Sequence, residues 1–160
     1  NNGVPMRGWY DIVGMDFRSR ADMAGVRESV AQVEALIARE IERGITPEQI
    51  FLAGFSQGGA IILTAALSRT APLAGLIALS TYLPDADSAE RVATAVDVPV
   101  FMAHGSGDPV IPQAVAAHSA QALRALGLQV QWHSYPMAHQ VCAEEIDALG
   151  DWLQERLGVA

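Results

Sequence analysis

Apolar residues recur at helical spacing along several stretches of the chain. From Asp22 to Arg43, valine or isoleucine returns every third or fourth position, which predicts an amphipathic helix with one buried stripe. This stripe consists of Val26, Val30, Val33, Ile37 and Ile41. Asp22 is suited to cap the start of the helix, and Gly44 is suited to end it. Further helices are predicted over Gln57 to Ser68, Ser88 to Ala95, Pro112 to Leu126 and Cys142 to Leu157. The apolar face predicted for the last helix consists of Ile146, Leu149, Leu153 and Leu157.

Short apolar runs alternate with these helices and predict β-strands. The run from Ile50 to Phe55 has no polar alternation, which favours a central parallel strand buried on both faces. Similar runs cover Leu76 to Ser80 and Val98 to Ala103. Gln129 to Tyr135 alternates between polar and apolar residues, as a strand at the edge of a sheet would. A single helical turn that begins at Thr46-Pro47 is predicted before the first strand.

The order of these elements predicts an α/β fold with a mostly parallel sheet and helices on both faces. One helix is followed by four strand–helix units, and 160 residues are enough for one such domain, residues 1–160, but not for two. Residues 1–21 have no sustained period and are interpreted as a loop anchored by Trp9, Tyr10 and Phe17. Ligands of parallel sheets bind at the carboxyl ends of the strands. Chemistry is therefore expected just after Phe55, Ser80, Ala103 and Tyr135.

Composition narrows the class of protein. About half of the residues (51%) are apolar and 18% are charged, which excludes a disordered tail or a coiled coil. The net charge is −8 and every basic residue is arginine, so nucleic acid and anionic membrane surfaces are disfavoured as partners. Cys142 is the single cysteine, and no histidine–cysteine cluster has the spacing of a metal site. No apolar run is long enough to cross a bilayer, and we expect a cytoplasmic protein.

The segment Gly54-Phe55-Ser56-Gln57-Gly58 has the G-x-S-x-G pattern of a nucleophilic serine. The pattern alone is suggestive only, because glycine and serine are common residues. Its context adds weight, since a predicted buried strand enters it and a predicted helix leaves it. A tight strand-to-helix turn needs small neighbours around a strained serine. The alternative is a glycine-rich connection in which Ser56 merely caps the helix.

A serine hydroxyl becomes a nucleophile only when a base removes its proton, so a histidine is expected nearby. His139 lies in the loop after the fourth strand, at the same sheet edge as Ser56. His133 is predicted to be a solvated side chain on the edge strand, and His118 an exposed residue of a helix. His104 ends the third strand, where a packed ring with a hydrogen bond to the backbone is expected. His139 is therefore the preferred base.

The base needs a carboxylate that fixes its tautomer. Asp108 follows the third strand and lies at the expected edge, although it could instead initiate an Asx turn. Asp85 and Asp87 follow the second strand and are interpreted as solvated or capping residues. The chain order Ser56, Asp108, His139 is the order of the α/β-hydrolase triad.

At this point the chain resembles the small serine carboxylesterases of bacteria, a family related to acyl-protein thioesterases and lysophospholipases. The segments that carry the resemblance are Trp9-Tyr10-Asp11, IFLAGFSQGG (50–59), ALSTYLP (78–84), HGSGDPVIP (104–112) and YPMAH (135–139). The resemblance implies an α/β-hydrolase fold and hydrolysis of esters or thioesters without a cofactor.

The resemblance also implies roles for individual residues. Ser56 corresponds to the nucleophile, Asp108 to the acid and His139 to the base, while the backbone N–H of Gln57 corresponds to one oxyanion donor. A substrate-binding surface is implied for Trp9, Phe55, Tyr82, Leu83 and Val110.

The sequence departs from the family pattern in two places. Ala138 stands where the family often has glycine, which would cost about 1 kcal/mol or more if that position needs a positive φ. The family also begins with further strands and a loop of the H-G-x-G type that supplies the second oxyanion donor. No such residues precede Asn1, so the sequence is expected to lack these strands. The strand from Ile50 to Phe55 would then have one unpaired side.

These observations predict a serine carboxylesterase acting on short to medium-chain esters through an acyl-enzyme. An acyl-protein thioesterase or lysophospholipase with the same machinery is the enzymatic alternative. A hydrolase scaffold that binds without catalysis, for want of a second oxyanion donor, is the alternative from another class. Chemistry at Cys142 is a poor third option, because packing explains that residue. The partner is expected to be a small-molecule ester, and an exposed apolar edge would favour a homodimer.

Overall fold

Four parallel strands form the centre of the molecule. The structure, a computed structural model, describes residues 7–12, 21–92 and 98–159. The strands are β1 (Phe51–Phe55), β2 (Gly75–Leu79), β3 (Pro99–Gly105) and β4 (Gln129–Tyr135). They lie in the order β1-β2-β3-β4, and every neighbouring pair is parallel. The parallel sheet predicted from the sequence is confirmed.

Helices connect the strands and end close to the predicted residues. They are α1 (Met23–Glu42), α2 (Gln57–Ser68), α3 (Gln113–Ala125) and α4 (Ala143–Leu157). The side chain of Asp22 accepts hydrogen bonds from the N–H groups of Ala24 and Gly25, as a capping residue should. A 3-10 turn, Pro47–Gln49, precedes β1 at the predicted position. Within the described ranges, no helix is long and apolar enough to cross a membrane.

The apolar side chains form layers on both faces of the sheet. On one face, α2 and α3 pack against β2, β3 and β4 around a core that includes Leu63, Leu76, Met102 and Leu123. On the other face, Trp152 of α4 packs against residues of β2 and β3. Helix α1 packs on α2 rather than directly on the central strands. The fold is therefore a three-layer α/β arrangement, as expected.

The first strand differs from its prediction. The strand from Ile50 to Phe55 was expected to be central and buried on both faces, but among the described residues β1 is an edge strand. Ala53 and Phe55 are exposed, and the rest of β1 is half-buried. The apolar run indicates how much surface the strand can bury, but nothing in the described chain pairs with its outer side. Among the described residues, the outer side of β1 is therefore unpaired.

Three further predictions need correction. No helix begins at Ser88, because residues 84–88 form turns and residues 89–92 are irregular; residues 93–97 lie outside the described part.

In α1, Ile41 of the predicted stripe is exposed at 40%. In α4, Ile146 and Leu157 are exposed, and the buried face contains Trp152 instead. Of the predicted anchors, Tyr10 is buried and Phe17 lies outside the described residues.

Candidate active site

Ser56 occupies the tight turn between β1 and α2. Its backbone has φ 53° and ψ −121°, which a non-glycine residue adopts only at a cost of about 1–3 kcal/mol. Its N–H donates to the carbonyl of Leu79 at 3.0 Å, and its own carbonyl accepts a hydrogen bond from the Thr81 hydroxyl at 2.7 Å. One contact from the last residue of β2 and one from the segment after it therefore hold the strained turn.

Small residues around this turn are required to different degrees. A Cβ on Gly54 would lie 2.4 Å from the backbone of Gly58, and a Cβ on Gly59 would lie 2.6 Å from the Thr81 side chain. Neither position has room for a side chain. A Cβ on Gly58 would be no closer than 3.4 Å to Trp9, which is ordinary contact. The steric demand of the turn therefore falls on Gly54 and Gly59.

His139 connects the serine to a carboxylate. The Nε2 atom of His139 lies 2.9 Å from Ser56 Oγ, and its Nδ1 lies 2.7 Å from Asp108 Oδ2. The three side chains come from the loops after β1, β3 and β4, which meet at the carboxyl edge of the sheet. With Nδ1–H donating to the carboxylate, Nε2 is left to accept the serine proton. The arrangement can thus remove a proton from Ser56.

Hydrogen bonds favour the ionised form of Asp108. Burial of this side chain opposes ionisation, but hydrogen bonds from the Ile111 N–H, from His139 and from the Val110 N–H outweigh it and lower the pKa of Asp108 below its usual value. Both backbone groups donate to Oδ1, at 2.9 and 2.8 Å, so Oδ2 remains available to the imidazole. Asp108 does form the turn-like contacts of an Asx residue, and it contacts His139 at the same time.

Gln57 contributes two different groups beside Ser56. It is the first residue of α2, so its backbone N–H has no partner within the helix and points out of the N-terminus. Its side chain binds the preceding loop, because Nε2 donates to the Tyr10 carbonyl at 2.9 Å and Oε1 accepts from the Trp9 N–H at 3.2 Å. The Ser29 hydroxyl also donates to the Trp9 carbonyl. Residues 9 and 10 are thereby held against the turn.

The residues expected to bind substrate fall into two groups. Trp9, Phe55 and Val110 are exposed, and the Phe55 ring lies 4.9 Å from the imidazole of His139, measured between ring centroids. Tyr82 and Leu83 are each only 3% exposed. The Tyr82 hydroxyl lies 3.0 Å from the Tyr10 hydroxyl, whereas Leu83 belongs to the core around α2 and α3. The structure therefore brings the first three to the surface around the site and leaves Leu83 in the core.

The other histidines have different surroundings. His118 is exposed, as expected, with its Nε2 atom 2.7 Å from Asp87 Oδ1. His133 was expected to be solvated but is half-buried and stacks on Phe101, with ring centroids 4.6 Å apart. Burial lowers its pKa. The ring of Phe101 in β3 therefore covers one side of His133.

Two other sequence expectations concern the loops at this edge. Asp85 is exposed, as predicted, and has a positive φ of 51°. Ala138 is not among the described non-glycine residues with positive φ, which are Ser56, Ser80 and Asp85. The strain considered for alanine at this position therefore does not arise. The close approach falls on Gly105, where a Cβ would lie 2.3 Å from the Met137 carbonyl oxygen.

Sequence reasoning missed several residues that support the site. Thr81 and the side chain of Gln57 both lie in segments that carried the resemblance, but a hydrogen bond to a backbone carbonyl leaves no spacing pattern. The Ser80 hydroxyl donates to the Gln140 carbonyl at 3.3 Å and so connects the segment after β2 to the His139 loop. His104 was expected to be packed and bonded to the backbone; it has these features, and it also lies 3.3 Å from Asp108 Oδ2.

Comparisons with known proteins agree with this fold. Residues 1–157 match the model of the phospholipase/carboxylesterase family. Acyl-protein thioesterase 1 of Neurospora crassa is 40% identical over 167 residues, which cover 98% of this chain and 68% of that protein. Carboxylesterase SOBER1 of Arabidopsis thaliana is 31% identical and is covered to 71%. The crystal structure of SOBER1 superposes with a TM-score of 0.85 at 29% identity, over 98% of this chain and 77% of the other.

A family match over nearly the whole chain and a common architecture lead to one conclusion. This chain belongs to the phospholipase/carboxylesterase family and has the α/β-hydrolase fold.

Proposed function

We propose that this protein is a serine carboxylesterase, and that Ser56, His139 and Asp108 carry out the reaction. The hydrogen-bonded chain from Ser56 Oγ through the imidazole to Asp108 Oδ2 is the observation on which this proposal rests. The relatives described above are named thioesterases and carboxylesterases, which supports a hydrolase. The roles of the individual residues are our own proposal.

The reaction begins when Ser56 Oγ attacks the carbonyl carbon of the ester. The proton of the hydroxyl moves to His139 Nε2, and the carbonyl oxygen becomes an oxyanion. The Gln57 N–H, at the start of α2, stabilises this negative charge together with the helix dipole. Asp108, held ionised by its backbone hydrogen bonds, stabilises the imidazolium that forms. His139 then donates the proton to the departing alcohol, which leaves an acyl-enzyme.

Hydrolysis of the acyl-enzyme completes the cycle, with water as the nucleophile and Ser56 Oγ as the leaving group. His139 removes a proton from the water as it attacks the acyl carbon, and the proton returns to Ser56 Oγ when the acid is released. The proton transfers therefore use only Ser56, His139 and one water molecule. The exposed Trp9, Phe55 and Val110 offer apolar surface, and we infer that this surface accommodates a short to medium acyl chain, whereas Leu83 belongs to the core around α2 and α3.

The second oxyanion donor is proposed to come from a segment that pairs with the open side of β1. A groove of about 370 Å³ follows this side, and its apolar lining includes Trp9, Leu36, Phe51 and Ile62. An unpaired strand edge beside an apolar groove is an unfavourable surface to leave in water. Because β1 runs directly into Ser56, a segment paired with it would end close to the oxyanion. We accordingly regard residues 1–160 as a single α/β-hydrolase domain that is completed by such a segment.

Thioester hydrolysis is the second candidate, because a relative of 40% identity is named an acyl-protein thioesterase. The same serine chemistry cleaves both bonds, and the leaving group alone differs. A lysophospholipase would use it as well, and a non-catalytic binding module would retain the site without turnover.

A bacterial source, a cytoplasmic location and a homodimer also remain predictions; the relatives described above are fungal and plant proteins.

Labelling and turnover measured on one sample test the proposal. The complete protein is treated with a fluorophosphonate probe and assayed with nitrophenyl butyrate and with a matched butyryl thioester. We expect probe labelling and ester turnover that both disappear in Ser56→Ala, with His118→Gln as a control at an exposed histidine. If Ser56→Ala hydrolysed the ester at the parental rate, the nucleophile assignment would be wrong. A kcat/KM that is higher for the thioester would favour the second candidate, and labelling without turnover of either substrate would favour the binding module.

A further inference from the structure

We propose that His104 is a positioning residue for Asp108, and that it acts through a hydrogen bond from its Nε2–H to the Ile111 carbonyl. The inference rests on the proposed function and adds a fourth residue to its machinery. The Nε2 atom of His104 lies 2.9 Å from the Ile111 carbonyl oxygen and 3.3 Å from Asp108 Oδ2. The side chains of His104 and Asp108 are both fully buried. Asp108 therefore faces two imidazoles, of which only His139 contacts the serine.

The surroundings of the ring determine its tautomer. Nε2 faces two oxygen atoms, and both of these can only accept a hydrogen bond, so the proton of the neutral imidazole lies on Nε2. Nδ1 is buried without a hydrogen-bond partner among the described residues. A proton on Nδ1 would leave a buried N–H without a partner, which is costly. The geometry thus assigns the donor role to Nε2–H.

Ile111 is the residue through which His104 controls the carboxylate. The Ile111 N–H donates to Asp108 Oδ1 at 2.9 Å, while its carbonyl accepts the hydrogen bond from His104. Both sides of this residue are therefore fixed, one by the aspartate and one by the end of β3. Loss of the His104 bond would free the Ile111 carbonyl and allow the turn after Asp108 to rotate. Oδ2 would then no longer be held on the His139 Nδ1–H.

Packing supports a precise position for the His104 ring. Residue 104 lies within β3 and is paired in register with Ser134 of β4. Its ring is nearly parallel to that of Trp132, with an angle of 16° and 6.2 Å between centroids. A ring held in a strand and against an indole cannot rotate freely, so its N–H keeps its direction. Rigid support of this kind is what a catalytic carboxylate needs, because small displacements of reacting groups reduce turnover.

The test compares two substitutions of similar size in the complete protein. His104→Gln retains an N–H donor at about the reach of Nε2, whereas His104→Met fills the space without a donor. We expect kcat for nitrophenyl butyrate to fall about tenfold in His104→Met with KM little changed, and to recover most of this loss in His104→Gln. A carboxylate that is no longer held on the His139 Nδ1–H stabilises the imidazolium less, so the acid limb of kcat/KM should move to lower pH in His104→Met and return in His104→Gln.

Two controls separate this inference from general effects. His118→Met changes another histidine that lies beside a carboxylate, but at the surface, and should alter neither kcat nor the pH profile. Equal kcat values and pH profiles in the parent, His104→Met and His104→Gln would overturn the positioning role. The same losses in both His104 variants would overturn the donor role. Retained activity in Ser56→Ala would instead refute the proposed function itself.

A measurement on the parent protein does not depend on whether a variant folds. Nitrogen-15 shifts of the His104 imidazole should report a protonated Nε2 that donates a hydrogen bond. A ring whose Nε2 carries no proton would overturn the inference.

Discussion

The two glycines of the G-x-S-x-G motif should respond very differently to alanine. A Cβ at residue 54 would lie 2.4 Å from the carbonyl carbon and oxygen of Gly58 and 2.5 Å from the Gly59 nitrogen. All three are backbone atoms at the start of α2, so none can move aside as a side chain could. A Cβ at residue 58 would have the Trp9 indole nitrogen as its nearest neighbour, at 3.4 Å.

The magnitude follows from how far the backbone would have to move. Carbon atoms in ordinary contact are about 3.5–4.0 Å apart, so Gly54→Ala requires β1 and α2 to separate by roughly 1 Å. Overpacking of this kind costs about 1–3 kcal/mol, and the rigid neighbours place Gly54→Ala at the upper end. For a chain of this length, about 3 kcal/mol lowers the unfolding midpoint by about 6–12 °C. Gly58→Ala instead gains helix propensity, up to about 1 kcal/mol, and should leave the midpoint unchanged or raise it by up to about 4 °C.

Thermal unfolding of both variants beside the parent, followed by circular dichroism, measures this difference. The comparison is internally controlled, since both substitutions add one methyl group within the same turn. Equal midpoints for Gly54→Ala and Gly58→Ala would refute the steric argument. A parental midpoint for Gly54→Ala would show that the turn can open without cost.

Two further predictions concern pH, and they have opposite signs. Hydrogen bonds hold the pKa of Asp108 below its usual value of 3.8, so its carboxylate stabilises the fold above that pH and this contribution is lost as the pH falls through the folded-state pKa. The free energy of unfolding of Asp108→Asn should therefore be about 1–3 kcal/mol lower than that of the parent at pH 7, and the difference should narrow below pH 3.8. Denaturant titrations measure this difference, and a constant value down to pH 2.5 would contradict the prediction. Burial raises the pKa of Glu145 above its usual value of 4.5, and the Cys142 N–H opposes this shift more weakly. The neutral carboxyl therefore stabilises the fold at low pH, and this contribution is lost as the pH rises through the folded-state pKa. Glu145→Gln should accordingly unfold at a higher temperature than the parent at pH 8 and at nearly the same temperature at pH 4, and a lower midpoint at pH 8 would oppose this reasoning.

The helices and strands could be predicted because each carries its own signal. Asp22, before α1, and two glycines with positive φ, Gly44 after α1 and Gly127 after α3, mark element ends through local backbone chemistry. The prediction of a helix over Ser88 to Ala95 is wrong for the described residues 88–92, because it too relied on local signals alone. Its alanine and valine content suits a helix, but tertiary contacts hold the segment after β2 as turns, with the Val92 N–H bonded to the Leu67 carbonyl. Local propensity is weak enough for such contacts to override it.

The candidate site was predictable only as far as topology allowed. A parallel sheet brings the ends of its strands together, so Ser56, Asp108 and His139 could be assigned to one edge before any distance was known. The contacts that hold them could not be assigned in this way. Thr81 on the Ser56 carbonyl, and His104 on Ile111, join residues 25 and 7 positions apart through single hydrogen bonds. No periodicity records a bond of that kind.

The sequence by itself determined the class of fold, the ends of most helices and the order of the three reactive side chains, because these depend on local chemistry and on chain order. Only the tertiary structure decided which apolar residues are buried. Ile41, Ile146 and Phe55 match the apolar pattern yet remain exposed, because burial depends on whether another layer lies opposite. It also decided that Gly54, rather than Gly58, limits the turn, since that depends on distances between backbone atoms of different elements.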